Sequence, residues 1–396
     1  MNALVVAGGQ WQVPLIKFLK TKGFIVFVVD PYDDSLGVLA GDKHIKADVR
    51  DVNTILNFIK DVNFDIITTD QSDISVETVA VLCENLNLRG NAVEIIRKFS
   101  NKYLSRKFAK KENIPIPKFS LIENKDEVDD FIQKNGLPII LKPCDSQSSR
   151  GIHKITSYNL TQISTYINDA LLYSKENKCL VESFVDGYEI TVEGYCSAGK
   201  HKTLAISKKK HFRTGIASSL SYPAYLPKDL EEQIITINDK YVENSGLIFG
   251  ITHAEYMINE SEKEINLIEI ACRGGGTLIS SNIIKWVSGF DVYEALYSDL
   301  IGKSTNVKEI NPLKRNAVLH FFEFPSGKVK KLIGLDTVKQ LEGVLEISFN
   351  FSEGDTINNA KDGRGRHGFV IIFSNSLEEQ SEKLNFINKT IQIEYE

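Results

Sequence analysis

The first ninety or so residues alternate short apolar runs with helical periodicity, and this alternation restricts the possible folds more than any other feature of the chain. The run ALVVAG is followed by a helical pattern from about Val13 to Lys20, then FIVFVVD, a second helical pattern near Val52 to Lys60, and DIITTD. Strand, helix, strand, helix, strand implies a doubly wound parallel sheet, because parallel neighbours need a long crossover and a helix supplies it. The first turn, A-G-G-Q-W-Q, has two glycines but not the third of G-x-G-x-x-G, and Asp30 ends the second strand. A dinucleotide fold is compatible with this turn, but a Rossmann cofactor is poorly supported.

From Ser100 the pattern changes. A capped basic helix, SNKYLSRKFAKKEN, runs into the breaker I-P-I-P, followed by a helix near Lys125 to Asn135 and the strand LPIILKP. A helix near Leu160 to Ser174, the strands CLVE and YEITVEGY, a helix near Leu230 to Asn244, and the paired runs ITHAEYMI and EINLIEIAC make this stretch α+β with antiparallel hairpins. The last 85 or so residues read as another β-rich unit, in which Ser376 to Glu379 (S-L-E-E) forms a capping box before the final helix. The resulting division is 1–98, 99–310 and 311–396. A chain of 396 residues, 42% hydrophobic and 25% charged, is long enough for two or three packed domains.

Net charge −5 with both signs mixed along the chain leaves no basic face for a phosphate backbone, so nucleic acid is not expected as a partner. MNALVVAGGQ is too short an apolar run for a signal sequence, and no stretch approaches a membrane span. Five scattered cysteines without a C-x-x-C pair fit reduced thiols. The expected compartment is the cytoplasm.

Three groups of residues carry chemistry. In the hairpin ITHAEYMI/EINLIEIA a loop centred on Glu262 puts Glu255 opposite Glu269, with Cβ atoms about 5 Å apart. Two facing carboxylates repel unless a positive charge lies between them, and Mg²⁺ bridging a triphosphate supplies one. An ordinary Glu pair on a solvated face fits the same pattern, and a one-residue slip would turn one acid away. Lys142 ends an apolar strand before the small polar loop C-D-S-Q-S-S-R-G, a place where a lysine and loop N–H groups can hold an anion, although most such lysines are surface residues. The loop does not match G-x-x-x-x-G-K-[ST], which disfavours a P-loop. In VESFVDGYEITVE, Glu189, Thr191 and Glu193 share one face, and the connector after Glu182 has backbone groups suited to a purine edge.

In this order, the helix lysine of SNKYLSRKF, the strand lysine of PIILKP, the hinge VESFVDGYE, the segment HAEYM and the terminal EIACRGGG resemble the ATP-grasp superfamily. The flanking GGQWQVPLIKFLKTKGFIVFVVD and GRGRHGFVIIF look like those of its carboxylate-amine ligases, including the purine-biosynthetic and carbamoyl-phosphate-synthase-like types. The resemblance implies an N-terminal α/β domain, an ATP-grasp fold in two lobes and a small C-terminal α+β unit. It matches Lys102 and Lys142 to the nucleotide-phosphate lysines, and the loop 145–151, with Ser148 and Gly151, to the lid over them. Glu182 and Val185 match the adenine hinge, Glu189 the ribose acid, Glu255 and Glu269 the metal acids, and Arg273 an arginine beside the transferred phosphoryl group. Where many members read E-I-N-P-R this chain reads E-I-A-C-R, so Ala271 removes a third metal ligand, and Gly151 is the lid's one glycine.

The implied reaction is ATP-dependent activation of a carboxylate as an acyl phosphate and its transfer to an amine or other nucleophile, releasing ADP and phosphate. Its implied cofactor is Mg²⁺, or Mn²⁺ in its place, and its partners are a small-molecule carboxylate and amine, with a homodimer also among the expectations. A phosphotransferase and a non-catalytic nucleotide-binding protein are the alternatives. The dispersed histidines lack zinc spacing. His253 shares a strand face with Glu255 and is a candidate to approach metal or substrate, and Cys272 reads as a structural thiol. Arg213 and Arg366 read equally as substrate contacts or solvated charges, and Lys208 to Lys210 as a solvated face with one lysine available for phosphate. Loops 211–224 and 274–282 are expected to carry substrate groups.

Overall fold

The computed structural model describes residues 1–146, 150–174, 176–213 and 215–396. Four N-terminal strands form a parallel sheet in the order Lys43–Lys46, Ile25–Asp30, Asn2–Val6, Ile66–Thr68. Successive side chains of a strand point to opposite faces. Ala3 and Val5 therefore join a core with Leu15, Ile16 and Leu19 of helix Val13–Thr21, while Leu4 and Val6 join another with Ile55 and Ile59 of helix Val52–Ile59. Helices on both faces make the sheet doubly wound, as the alternation predicts. Asp30 ties down the first turn, accepting hydrogen bonds from the Gly8 N–H at 2.9 Å and the Ser35 hydroxyl at 2.8 Å.

A second, antiparallel sheet has the order Phe119–Ile122, Cys179–Ser183, Ile139–Pro143, His153–Ile155. Val128 and Phe131 of helix Lys125–Asn135 and Ile163 and Ile167 of helix Leu160–Leu172 pack against Ile122, Ile139, Leu141 and Val181, closing one face of this small lobe. The third sheet is antiparallel and eight-stranded, in the order Glu264–Ala271, Gly250–Asn259, Tyr188–Ser197, Lys200–Arg213, Ile216–Tyr222, Asn316–Phe322, Gly368–Ser374, Val344–Phe349. Pairing of Asn316–Phe322 with Ile216–Tyr222 makes the C-terminal α+β segment an extension of this sheet. A three-stranded sheet of Thr356–Ile357, Gly327–Ile333 and Gln392–Tyr395 lies beyond it.

Two local expectations need correction. Residues 211–224 are not a free loop, since 211–213 end the strand Lys200–Arg213 and its hairpin partner Ile216–Tyr222 comes next. The run K-K-K-H-F-R conceals its strand because side chains that face a charged cavity lack the apolar alternation of a half-buried strand. At the last helix, Leu377–Thr390, the Ser376 hydroxyl accepts the Glu379 N–H at 3.1 Å, but the Glu379 carboxylate reaches back to the N–H of Asn375, one residue before the position a capping box uses. No helix among the described residues is long and apolar enough to cross a membrane.

Candidate functional site

Glu255 and Glu269 are register partners across the hairpin Gly250–Asn259/Glu264–Ala271. The uniform register assumed from sequence does not hold along it. Near the turn Asn259 faces Glu264 and Tyr256 faces Leu267, and a bulge between Glu255 and Tyr256 shifts the pairing by one, so that Glu255 meets Glu269. Without that extra residue Glu255 would face Ile268, and the second carboxylate would point through the sheet.

The two acids are not bare, because lysines already supply positive charge beside them. Lys209 donates to Glu255 at 2.7 Å and to Glu189, and Lys102 donates to Glu269 at 2.9 Å and to the Ser146 carbonyl at 2.7 Å. Burial disfavours the charge on Lys209, but Glu189 and Glu255 outweigh it and hold the ammonium above the ordinary lysine range. Burial likewise pulls the His253 imidazole down. The Glu193 carboxylate 2.7 Å away and a bond to Glu255 prevail and hold it up at about 9. Burial pushes Glu255 up, but Lys209 and His253 bring its carboxyl well below the usual range.

A second charged knot lies under the small lobe. Glu182 accepts from Arg106 Nε at 2.6 Å and from Lys142 Nζ at 2.6 Å, and all three side chains are under 5% exposed. Lys102 and Arg106 sit one turn apart on helix Lys102–Lys111, which Asn101 caps by accepting the Leu104 N–H, so one helix face delivers both cations. One carboxylate serving two cations leaves local positive excess. Burial, with Arg106 adding repulsion, keeps the Lys142 ammonium below the lysine range despite the attraction of Glu182.

These knots border one cleft between the small lobe and the eight-stranded sheet. Apolar Ile140, Ile152, Phe184 and Val185 line it from above and Met257 and Ile268 from below, and its polar groups include Lys102, Lys142, Glu182, Glu189, Lys209, Glu255 and Glu269. The connector of Val185 to Gly187 is drawn tight against the sheet, because a Cβ on Gly187 (φ +133°) would stand 2.1 Å from the Ile258 carbonyl oxygen. A second cavity, of about 410 Å³, shares Lys209, Gly215, Glu255 and Glu269 with the cleft and continues past His253, Arg273, Trp11 and Gln71 to Arg364 and Arg366. A third, of about 670 Å³, opens on the N-terminal side below Lys102, Arg106 and Glu269.

Two family models match this chain. One, described as an ATP-grasp domain, covers residues 135–281, which contain the hinge, the hairpin and most of the cleft, and the other, an L-amino acid ligase C-terminal domain, covers residues 320–396. Residues 135–281 are thus similar to an ATP-grasp domain. It is 30% identical over 193 residues to a D-alanine–D-alanine ligase of Azobacteroides pseudotrichonymphae, covering 46% of this chain and 57% of that one. It is 25% identical over 316 residues to alanine–anticapsin ligase of Bacillus subtilis, covering 74% of this chain and 66% of the relative. Less than two thirds of either curated relative is thus spanned. The crystal structure of an L-amino acid ligase from Bacillus licheniformis superposes with a TM-score of 0.85 at 18% identity, covering 100% of this chain and 98% of that one, a likeness of fold.

The structure gathers Lys102, Lys142, Glu182, Val185, Glu189, Glu255 and Glu269 around one cleft. Ser148 lies outside the described residues. Arg273 lines the second cavity, and its guanidinium forks onto Asp73 of the N-terminal segment at 2.8 and 2.7 Å. Arg213 is not among the residues that line the cleft or the second cavity: it holds Glu323 at 2.7 Å and bonds the Ala360 carbonyl, tying the hairpin tip to the C-terminal segment. The Cys272 thiol is pushed up to about 12 by burial, in keeping with a structural role. The run Lys208 to Lys210 is not the solvated face its composition suggests. Strand alternation sends Lys208 over the Tyr188 ring, 4.0 Å from its centroid, and Lys209 into the site. Arg106 is a site residue that sequence reasoning misses, although its i, i+4 spacing from Lys102 is a usable signal.

Gly151 has a structural reason to be glycine. Its φ is +68°, and a Cβ would stand 2.9 Å from Tyr173 Cδ2 and 3.1 Å from Ala170 Cα at the end of helix Leu160–Leu172. Gly151→Ala is therefore expected to lose about 1–2 kcal/mol from the left-handed backbone alone. An unchanged denaturant midpoint would show that the helix end yields and that the glycine is not needed there.

Proposed function

We propose that this protein is an ATP-dependent carboxylate-amine ligase. The observation that carries the reading is the sharing of Glu255, Glu269 and Lys209 between two cavities, one with an apolar slot and phosphate-seeking lysines, the other with room and charge for small polar substrates. A phosphoryl group delivered from one can meet a substrate held in the other at that common floor.

In this reading ATP occupies the cleft with its adenine among Ile140, Ile152, Val185, Met257 and Ile268, beside the hinge after Glu182, and with its ribose at Glu189. Lys102 and Lys142 face its phosphates, where the positive excess around Glu182 has a use. Glu255 and Glu269 would hold Mg²⁺ or Mn²⁺, since both are hard oxygen donors opening onto the shared floor. When bound, the ion neutralises phosphate charge. A carboxylate oxygen of the first substrate attacks the γ-phosphorus as the bond to the ADP oxygen breaks. The amine nitrogen of the second then attacks the acyl carbon, phosphate leaves, and the nitrogen gives up its proton. Arg273, held rigid by Asp73, and Lys142 stabilise charge on the transferred group. Alanine stands in the names of both curated relatives, which supports an amino acid as one substrate.

The test is ADP and free phosphate release, measured over paired carboxylates and amines with each omitted in turn, together with ATP and GTP binding by calorimetry. Turnover should need both substrates, and ATP should bind more tightly than GTP. A stable phosphorylated product without free phosphate would make the protein a phosphotransferase. ATP binding without any substrate-dependent turnover would make it a regulatory module.

A further inference from the structure

We propose that Arg366 binds a carboxylate of the amine-bearing substrate that does not itself react, so that the nucleophile this enzyme joins is an anionic amine such as an amino acid. The inference rests on the ligase reading and adds to it the class of the second substrate.

Five cationic or protonatable side chains line the second cavity: Lys209, His253, Arg273, Arg364 and Arg366. Four are already matched by an acid. Lys209 holds Glu189 and Glu255, His253 holds Glu193, Arg273 holds Asp73, and Arg364 holds Asp362 at 2.7 Å. Arg366 alone among them has no acid within ion-pair distance among the described residues. Its Nε donates to the Gly363 carbonyl at 2.7 Å, and its guanidinium carbon lies 3.5 Å from the centroid of the Phe321 ring. Stacking and one backbone bond fix the plane of the guanidinium while leaving donors of the fork for a planar anion. Burial has already brought the Arg366 pKa down to about 10, with Asp362 opposing only weakly, as expected for a charge whose counter-ion is not built into the protein.

Position decides which substrate supplies that anion. The reacting carboxylate must lie at the end of the cavity shared with the nucleotide cleft, by Glu255 and Glu269. Arg366 belongs to the end formed by the C-terminal strands and is absent from the cleft lining. An anion there is held away from the γ-phosphate, and an amine carried on the same molecule can point back toward the acyl carbon.

The experiment compares parent, Arg366→Met and Arg366→Lys in the ADP-release assay, using amino acids as donors and as acceptors either L-amino acids or their decarboxylated amines. Methionine keeps an apolar stem against Phe321, and lysine keeps the charge but not the fork. Arg366→Met should lower kcat/KM about a hundredfold for carboxylate-bearing acceptors, chiefly through KM, and change it less than about threefold for the plain amines, while Arg366→Lys falls between. Equal losses on both acceptor series, or no loss on either, would overturn the assignment, as would a parent enzyme indifferent to the acceptor carboxylate. A second readout needs no turnover: the melting temperature of each protein with L-amino acids or with the corresponding amines. Stabilisation of the parent by the acids only, lost in Arg366→Met, supports the anion site even where no pair yields ADP and the ligase reading falls. A parent not stabilised by any of the acids would count against the site even where ligation is found.

Discussion

Glu182→Gln is expected to lower the free energy of unfolding by about 3–5 kcal/mol, seen as an earlier denaturant midpoint at unchanged slope. Glu182 is the carboxylate that Arg106 and Lys142 share, each at 2.6 Å, in a knot almost closed to solvent. Removing its charge leaves two buried cations side by side. Lys142→Met should cost less, because Glu182 keeps Arg106 and the methionine stem replaces the lysine stem. Burial pushes the Glu182 carboxyl up, but its two cations pull it below the ordinary 4.5, so its contribution is present above that pH and fades as pH falls below it. The parent and Glu182→Gln should accordingly converge in stability under acid conditions. A midpoint for Glu182→Gln equal to the parent's at neutral pH would mean that the knot contributes nothing to the fold. The same geometry revises what sequence suggests for Lys102 and Lys142. The resemblance assigns both to phosphate, yet each is bound into an ion pair in the free protein, so their substitution tests two properties together.

Periodicity and the order of motifs are the parts of this structure that a sequence displays. The N-terminal sheet is legible because apolar and helical periods alternate cleanly, and the hairpin because two acids recur in matching runs. The facing of Glu255 and Glu269 is reached from sequence by assuming an even register, whereas the strands achieve it with a bulge that shifts Tyr256 onto Leu267. A bulge has no strong local signature, so the assumed register and the real one coincide only at the site. The matching of cations is not legible at all. Arg273 finds Asp73 two hundred positions away, and Lys102 finds Glu269 across a comparable span, contacts set by how the sheets assemble. Lys209 is hidden by its neighbours, since three consecutive lysines suggest a solvated face unless the segment is known to be a strand.

The acids of the shared floor should separate stability from activity unequally. Glu255 is bound by Lys209 and lies 3.6 Å from His253 Nε2, but each of these has another acid, Glu189 for the lysine and Glu193 for the histidine. Glu255→Gln therefore leaves no cation unmatched, and its free protein should stay within about 1 kcal/mol of the parent. Glu269 is different: it is the acid within ion-pair distance of Lys102, whose side chain is 10% exposed, and Glu269→Gln should cost about 1–3 kcal/mol. Two uncompensated carboxylates would have predicted the reverse, a gain on removing either charge. Both variants should lose at least about a hundredfold in turnover, the scale of removing one preorganised electrostatic group. Both should also lose the rise in melting temperature that magnesium and ATP give the parent by mass action. Glu255→Gln is then the cleaner probe, because its fold is spared while its chemistry is not. Near-parental turnover in a Glu255→Gln protein that melts far below the parent would make Glu255 a structural partner of Lys209 and remove it from the proposed metal pair.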